Sequence, residues 1–170
     1  MLSQSQISEF RENGVVVVES ALSTAELEPL REQHRQWIEA SRQHAEPFGE
    51  MLDGRPRFDV EPGHNADSPA LRRVASPEEI SDVYLDLLEA GPLIENVAGL
   101  LGEDLRFHHA KLNSKLPNSG TTVKWHQDFT FDPHSNDDCI TAMLFLDDID
   151  SDGIDLDALE RSGIGFNDSG

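Results

Sequence analysis

Basic side chains are scarce in this chain: thirteen Lys and Arg stand against thirty-three Asp and Glu, for a net charge of -20. Such a surface repels phosphate backbones, which excludes nucleic acid as an expected partner. The excess of acid fits a well-solvated exterior. Only one cysteine is present, Cys139, so no internal disulfide can form, as suits a reducing compartment. No apolar run approaches the ~18 residues that span a bilayer. The opening MLSQSQISEFREN has neither a basic nor an apolar export region, so the expected location is cytoplasmic. A glycine-rich phosphate cradle, a serine nucleophile elbow and internal repeats are all missing, which excludes P-loop, α/β-hydrolase and solenoid readings.

What remains is a chain of 170 residues with eight Phe and two Trp, long enough for one domain with a real core. SQISEFRENG reads as a short helix stopped by Gly14, and Val15 to Val18 as a buried strand. A longer helix begins at Ser23, which has capping-box spacing to Glu26. Its apolar stripe is Leu27, Leu30, His34, Trp37 and Ile38, with Pro29 distorting the first turns and His34 packed rather than catalytic. Residues 46–68 read mostly as loop, with a short strand at RFDV and an exposed His64. SPEEISDVYLDLLEAG predicts one helix capped by Ser76 and stopped by Gly91, with Ile80, Val83, Tyr84, Leu87 and Leu88 on one face. A second helix covers Pro92 to Leu101 and ends at Gly102.

Beyond Gly102 the period changes. LRFHHAKLNSKL, TTVKWHQDF and DCITAMLFLDD are strand-like runs separated by the turn signal PNSG and the polar stretch DPHSND. Helices therefore come first and strands later, an α+β pattern. On a strand, His108 and His109 face opposite ways, and at most one looks inward. His134 reads as a loop residue. Within TVKWHQDFTF, His126 and Asp128 project to the same face, with ~6.6 Å between their Cα atoms. One imidazole nitrogen and one carboxylate oxygen are two legs of the facial triad that holds non-haem Fe(II). A His-x-Asp triplet arises by chance about 0.7 times in a chain with seven His and 17 Asp, so its context has to carry the reading.

That context is AKLNSKLPNSGTTVKWHQDFTF followed by ITAMLFLDDIDSDG, which resembles the phytanoyl-CoA dioxygenase family of Fe(II)- and 2-oxoglutarate-dependent oxygenases. Lys111 and Lys115, then Pro117 and Gly120, then Trp-His-Gln-Asp, then an apolar run closing in Asp147-Asp148 carry the resemblance. FRENGVVVVESALSTAELEPL is similar to the family's opening, and together these pieces cover most of residues 6 to 153. The resemblance implies a double-stranded β-helix, a jelly roll of the cupin kind, with N-terminal helices packed on it. It implies Fe(II) and 2-oxoglutarate as cofactors, hydroxylation of a small-molecule, organic substrate, and His126 and Asp128 as metal ligands. Lys111 corresponds to a position that contacts 2-oxoglutarate, and Thr141 and Met143 to positions near that co-substrate. From the residues alone, Lys111 reads equally as a solvated strand lysine, and Thr141 and Met143 as core packing.

The family's third ligand, a downstream histidine, and the arginine that clamps 2-oxoglutarate have no counterpart: the last histidine is His134, and only Arg161 follows the acidic strand end. From Asp147 to Gly170 there are eight acidic residues and one basic. Residues 1–104 are thus expected to form a helical and early-strand region and residues 105–153 the first part of the β-helix core. Residues 154–170 make an acidic tail outside the pattern. The expectation is an N-terminal part of a longer oxygenase, inactive as written. A rival reading is a noncatalytic calcium-binding or interaction module using the D-x-D-x-D-G run of Asp148 to Gly153, although its twelfth position is Leu159 rather than Glu. The substrate's identity and the oligomeric state are not legible.

Overall fold

The computed structural model describes residues 1–114, 135 and 138–148. The chain divides into two compact units, one formed by Met1–Leu22, Gly91–Leu105 and Val123–Gly170, the other by Ser23–Ala90 and Arg106–Thr122. The described part is α+β. In the first unit, helix α1 (Gln4–Asn13) starts at a capping box in which the Gln6 N–H donates to Ser3 Oγ and Gln6 Oε1 accepts from the Ser3 N–H. Gly14 closes it in the left-handed conformation at φ 74°, which a side chain would strain, with its N–H on the Phe10 carbonyl. The valines that follow were expected to form a strand, and they do not. No described strand offers them a ladder, and Val17 is 43% exposed. An extended segment without a hydrogen-bonding neighbour stays irregular whatever its β-propensity.

In the second unit, helix α2 (Thr24–Ser41) opens with the expected box: the Ser23 N–H donates to Glu26 Oε2 at 2.7 Å and the Glu26 N–H to Ser23 Oγ at 3.3 Å. It runs unbroken through Pro29. Residues 46–68, read mostly as loop, instead hold a hairpin of β1 (Phe48–Leu52) and β2 (Arg55–Val60), with Leu52 opposite Arg55. The two-residue turn Asp53-Gly54 has φ 49° and 78°, the pair of positive angles that an Asp-Gly turn of the primed type requires. Strand β3 (Leu71–Ala75) pairs antiparallel with β2, and β4 (Lys111–Asn113) pairs antiparallel with β3, so the order is β1-β2-β3-β4. Among the described residues of the long strand expected after Gly102, only these three join a ladder. Residues 138–148, also expected as a strand, form none.

The single helix expected after Ser76 is two pieces. Ser76 stands at φ 46° without a side-chain cap bond, a 3-10 turn covers Pro77–Glu79, and α3 (Asp82–Glu89) begins after Ser81. Helix α4 (Pro92–Leu101), in the first unit, ends before Gly102 as its sequence predicts. No described helix is long and apolar enough to cross a membrane.

A column of rings organises the second unit. His44 stacks on Phe48 at 3.7 Å, Phe48 on its cross-strand partner Phe58 at 4.7 Å, Trp37 meets Phe58 edge-on at 6.1 Å, and Trp37 stacks on Tyr84 at 5.2 Å. Such pairs add about 0.5–1.5 kcal/mol each beyond the area they bury. Leu30, Leu71 and Val74, all nearly inaccessible, fill the space beside them. The Tyr84 hydroxyl donates to the Leu30 carbonyl at 3.1 Å, and burial pushes its phenol up to about 12.

Tyr84 is the chain's one tyrosine, so its titration can be read alone. The phenol absorbance should change near 12 in the folded protein and near ~10 in denaturant. A raised pKa means that the folded state holds the proton longer, so stability should fall as pH climbs through this window. A native transition at the denatured value would show that water reaches the ring. Separately, Leu71→Ala should cost about 2–5 kcal/mol in urea unfolding, because it empties a site with no accessible surface.

Candidate functional site

Of the residues the sequence singles out, Lys111 is described at the start of β4, opposite Ala75 of β3, with an exposed side chain. Ladder bonds hold it through its neighbours: the Ser76 N–H donates to the Ala110 carbonyl at 3.0 Å and the Ser114 N–H to the Arg72 carbonyl at 2.8 Å. Thr141 and Met143 belong to the first unit, on a segment that is not a strand. Met143 is 73% exposed, so core packing does not describe it. His126 and Asp128 lie outside the described residues, as do His134 and the Asp150–Gly153 part of the calcium-like run. Among the described residues, no group of three or more His, Cys, Asp or Glu is placed to hold a metal ion.

The remaining histidines sort by geometry. His34 is half-buried on α2, with Nε2 2.8 Å from Ser114 Oγ just past β4. His64, expected on an exposed loop, is buried at 7%. Its Nε2–H donates to the carbonyls of Ser41 and His44 at 2.9 and 3.0 Å, and its Nδ1 accepts the Ala70 N–H at 2.8 Å. The ring fastens the β2–β3 connection to the end of α2, a structural task. His108 and His109 do not face opposite ways. They precede β4 in irregular backbone, both are exposed, and their Nδ1 atoms lie 2.7 Å apart. Strand alternation applies only where residues are in a strand.

Sequence reasoning missed the most constrained charge in the unit. Arg57, on β2, is 3% exposed. Its Nη1 donates to the carbonyls of Ala75 at 3.2 Å and Ser76 at 2.8 Å, and its Nη2 to Glu50 at 2.8 Å and Glu79 at 2.6 Å. Burial works against the cation, and the hydrogen bonds and charges of the two glutamates outweigh it, so the net direction is upward. The signal available in the sequence was the second arginine of Arg55-Pro56-Arg57-Phe58, at a strand position, which by itself reads as an exposed residue. Its carbonyl partners sit where β3 ends, at the left-handed Ser76, a conformation costing a non-glycine residue ~1–2 kcal/mol. A neighbouring pair shares the region: Asp59, 14% exposed at its side chain, is met by Arg72 and, at 3.6 Å, by Arg73.

Beside Arg57 lies Glu78. Its Oε2 is buried without a hydrogen-bond partner among the described residues. Burial, assisted by the charge of Glu79, pushes this carboxyl above the usual range, while a hydrogen bond from its own backbone and the charges of Arg57 and His109 pull the other way. Because its proton is held more tightly in the folded state, its contribution to stability declines as pH rises through the folded pKa. Glu78→Gln should therefore raise stability at neutral pH and flatten the decline above about pH 4. Urea unfolding of both proteins across that range checks this, and superimposable profiles would show that water already solvates the carboxylate.

Residues 10–153 match the family described as Phytanoyl-CoA dioxygenase (PhyH). Over 143 residues the chain is 33% identical to the probable alpha-ketoglutarate-dependent hypophosphite dioxygenase of Stutzerimonas stutzeri, a match covering 84% of this chain and 47% of that protein. The chain thus spans about half the length of this curated relative.

Proposed function

The chain belongs to the phytanoyl-CoA dioxygenase family, and from that membership we propose that it carries the N-terminal part of an Fe(II)- and 2-oxoglutarate-dependent dioxygenase acting on a small molecule. The observation that carries the reading is the Trp125-His126-Gln127-Asp128 run inside the matched span. Its donor set suits the metal: a neutral imidazole nitrogen and a hard carboxylate oxygen are ligands that Fe(II) accepts together, and they leave coordination positions for a chelating co-substrate. When bound, iron with 2-oxoglutarate supplies the oxidising power for hydroxylation, and the protein supplies position and charge.

His126 and Asp128 would hold the metal, and Asp128 would be its anionic protein ligand. Lys111 would place an ammonium against a carboxylate of 2-oxoglutarate, offsetting part of the repulsion between a dianion and a chain of charge -20. Thr141 and Met143 would lie near the co-substrate. Residues 105–153 would form the first part of a double-stranded β-helix, with residues 1–104 as its helical and early-strand covering. Two features of this family's pattern, a downstream histidine and an arginine clamp, have no counterpart among the residues after Asp128, where His134 is the last histidine and Arg161 the one arginine. On this reading the 170 residues bind Fe(II) and 2-oxoglutarate weakly and do not couple them to hydroxylation. The dependence on 2-oxoglutarate in the name of the Stutzerimonas stutzeri relative supports the cofactor. Hypophosphite is that protein's named substrate, and the substrate of this chain is a separate question.

Anaerobic calorimetric titration with Fe(II) tests the metal pair. Asp128→Ala should weaken binding at least about 10- to 100-fold, the loss that removal of even an outer-shell partner produces. Unchanged iron affinity would remove the basis for the site.

A further inference from the structure

The geometry assigns Arg57 as a positioning residue for 2-oxoglutarate: we propose that this guanidinium, by holding the end of β3, sets the placement of Lys111 on β4 against the co-substrate. The inference rests on the reading of Lys111 as the co-substrate's cation. Its physical basis is a short chain of contacts. Arg57 Nη1 grips the carbonyls of Ala75 and Ser76, two consecutive residues at the point where β3 stops. Ala75 is the register partner of Lys111, and the Ser76 N–H donates to the carbonyl of Ala110, the residue just before it. The peptide segment that Arg57 grips is therefore the one that pairs with the first residue of β4.

Two details make this more than a buried ion pair. The guanidinium's four contacts come from three elements: Glu50 on β1, Glu79 on the 3-10 turn, and the β3 end. Only a planar fork with several fixed donors can satisfy them together, and an ammonium cannot. In addition, Ser76 holds a positive φ without glycine and without a side-chain cap bond. The contact from Arg57 to its carbonyl is one of the forces that keep it there. β4 is only three residues long, so its placement depends on few bonds, and a shift at Ala75-Ser76 passes directly to Lys111.

The test uses the 170-residue protein, anaerobic, with Fe(II) present and 2-oxoglutarate as the titrant, in wild type, Arg57→Lys, Lys111→Met and the double variant. Lys111→Met is expected to weaken 2-oxoglutarate binding roughly 10- to 100-fold, as loss of a charged hydrogen bond would. Arg57→Lys should weaken it to a similar extent, and the double variant little further, since both act on one contact. Hydrogen exchange of residues 110–114 should quicken in Arg57→Lys beyond that in Leu30→Ala compared at equal global stability, a change that mere destabilisation would not produce. Binding weakened by Lys111→Met but untouched by Arg57→Lys, strictly additive losses, or unaltered exchange at β4 would each overturn the proposal and leave the cofactor reading standing. No binding by the wild type, or binding indifferent to Lys111→Met, would overturn the reading of Lys111 and the proposal with it.

Discussion

A positive charge taken out of water at Arg57 constrains the sheet-bearing unit more than any other single group described. Desolvating a guanidinium is costly unless every donor finds an acceptor and an opposite charge stands close. Here two carboxylates and two backbone carbonyls do so, drawn from β1, the 3-10 turn and the end of β3. The glutamates remain largely hydrated, at 68% and 53% exposure, so their ion pairs are screened and contribute modestly. What the arrangement supplies is geometry: three elements distant in sequence must meet at one planar group.

Apolar packing supplies the cohesion that this polar junction does not. The ring column from His44 to Tyr84 ties α2 and α3 to the β1–β2 hairpin, and Leu71 and Val74 close the same core from β3. Because α2 meets the sheet through Trp37 on Phe58, and His64 fastens the end of that helix to the β2–β3 connection, the platform beside β4 is tied down on several sides. A short strand gains precision when its neighbours cannot move. The role proposed for Lys111 on β4, meeting a dicarboxylate reproducibly, relies on that setting.

Family membership and this platform bear on different halves of the functional question. The match over residues 10–153 shows the family, and the proposed pairing of His126 with Asp128 as metal ligands is intelligible without coordinates because ligand identity is a property of side chains. Lys111 belongs to the other half, since the role proposed for it depends on where β3 and β4 place it.

Local chemistry alone determined several elements of this protein. The Ser23–Glu26 box, the Gly14 stop and the Pro92–Leu101 helix follow from capping and backbone sterics among residues three or four apart, and they formed where the sequence places them. The Asp53-Gly54 turn was equally readable, and reading it would have recovered the hairpin in residues 46–68. Other features no local pattern could yield. Four consecutive valines favour a strand, but a strand exists only beside a partner, and whether one is available is decided across the whole chain. The burial of His64 and Arg57 likewise depends on carbonyls and carboxylates up to 23 residues away in sequence. Sequence determined which groups could cap, turn or ligate; tertiary structure decided which polar groups left water, because that choice is made by partners the chain brings together only when folded.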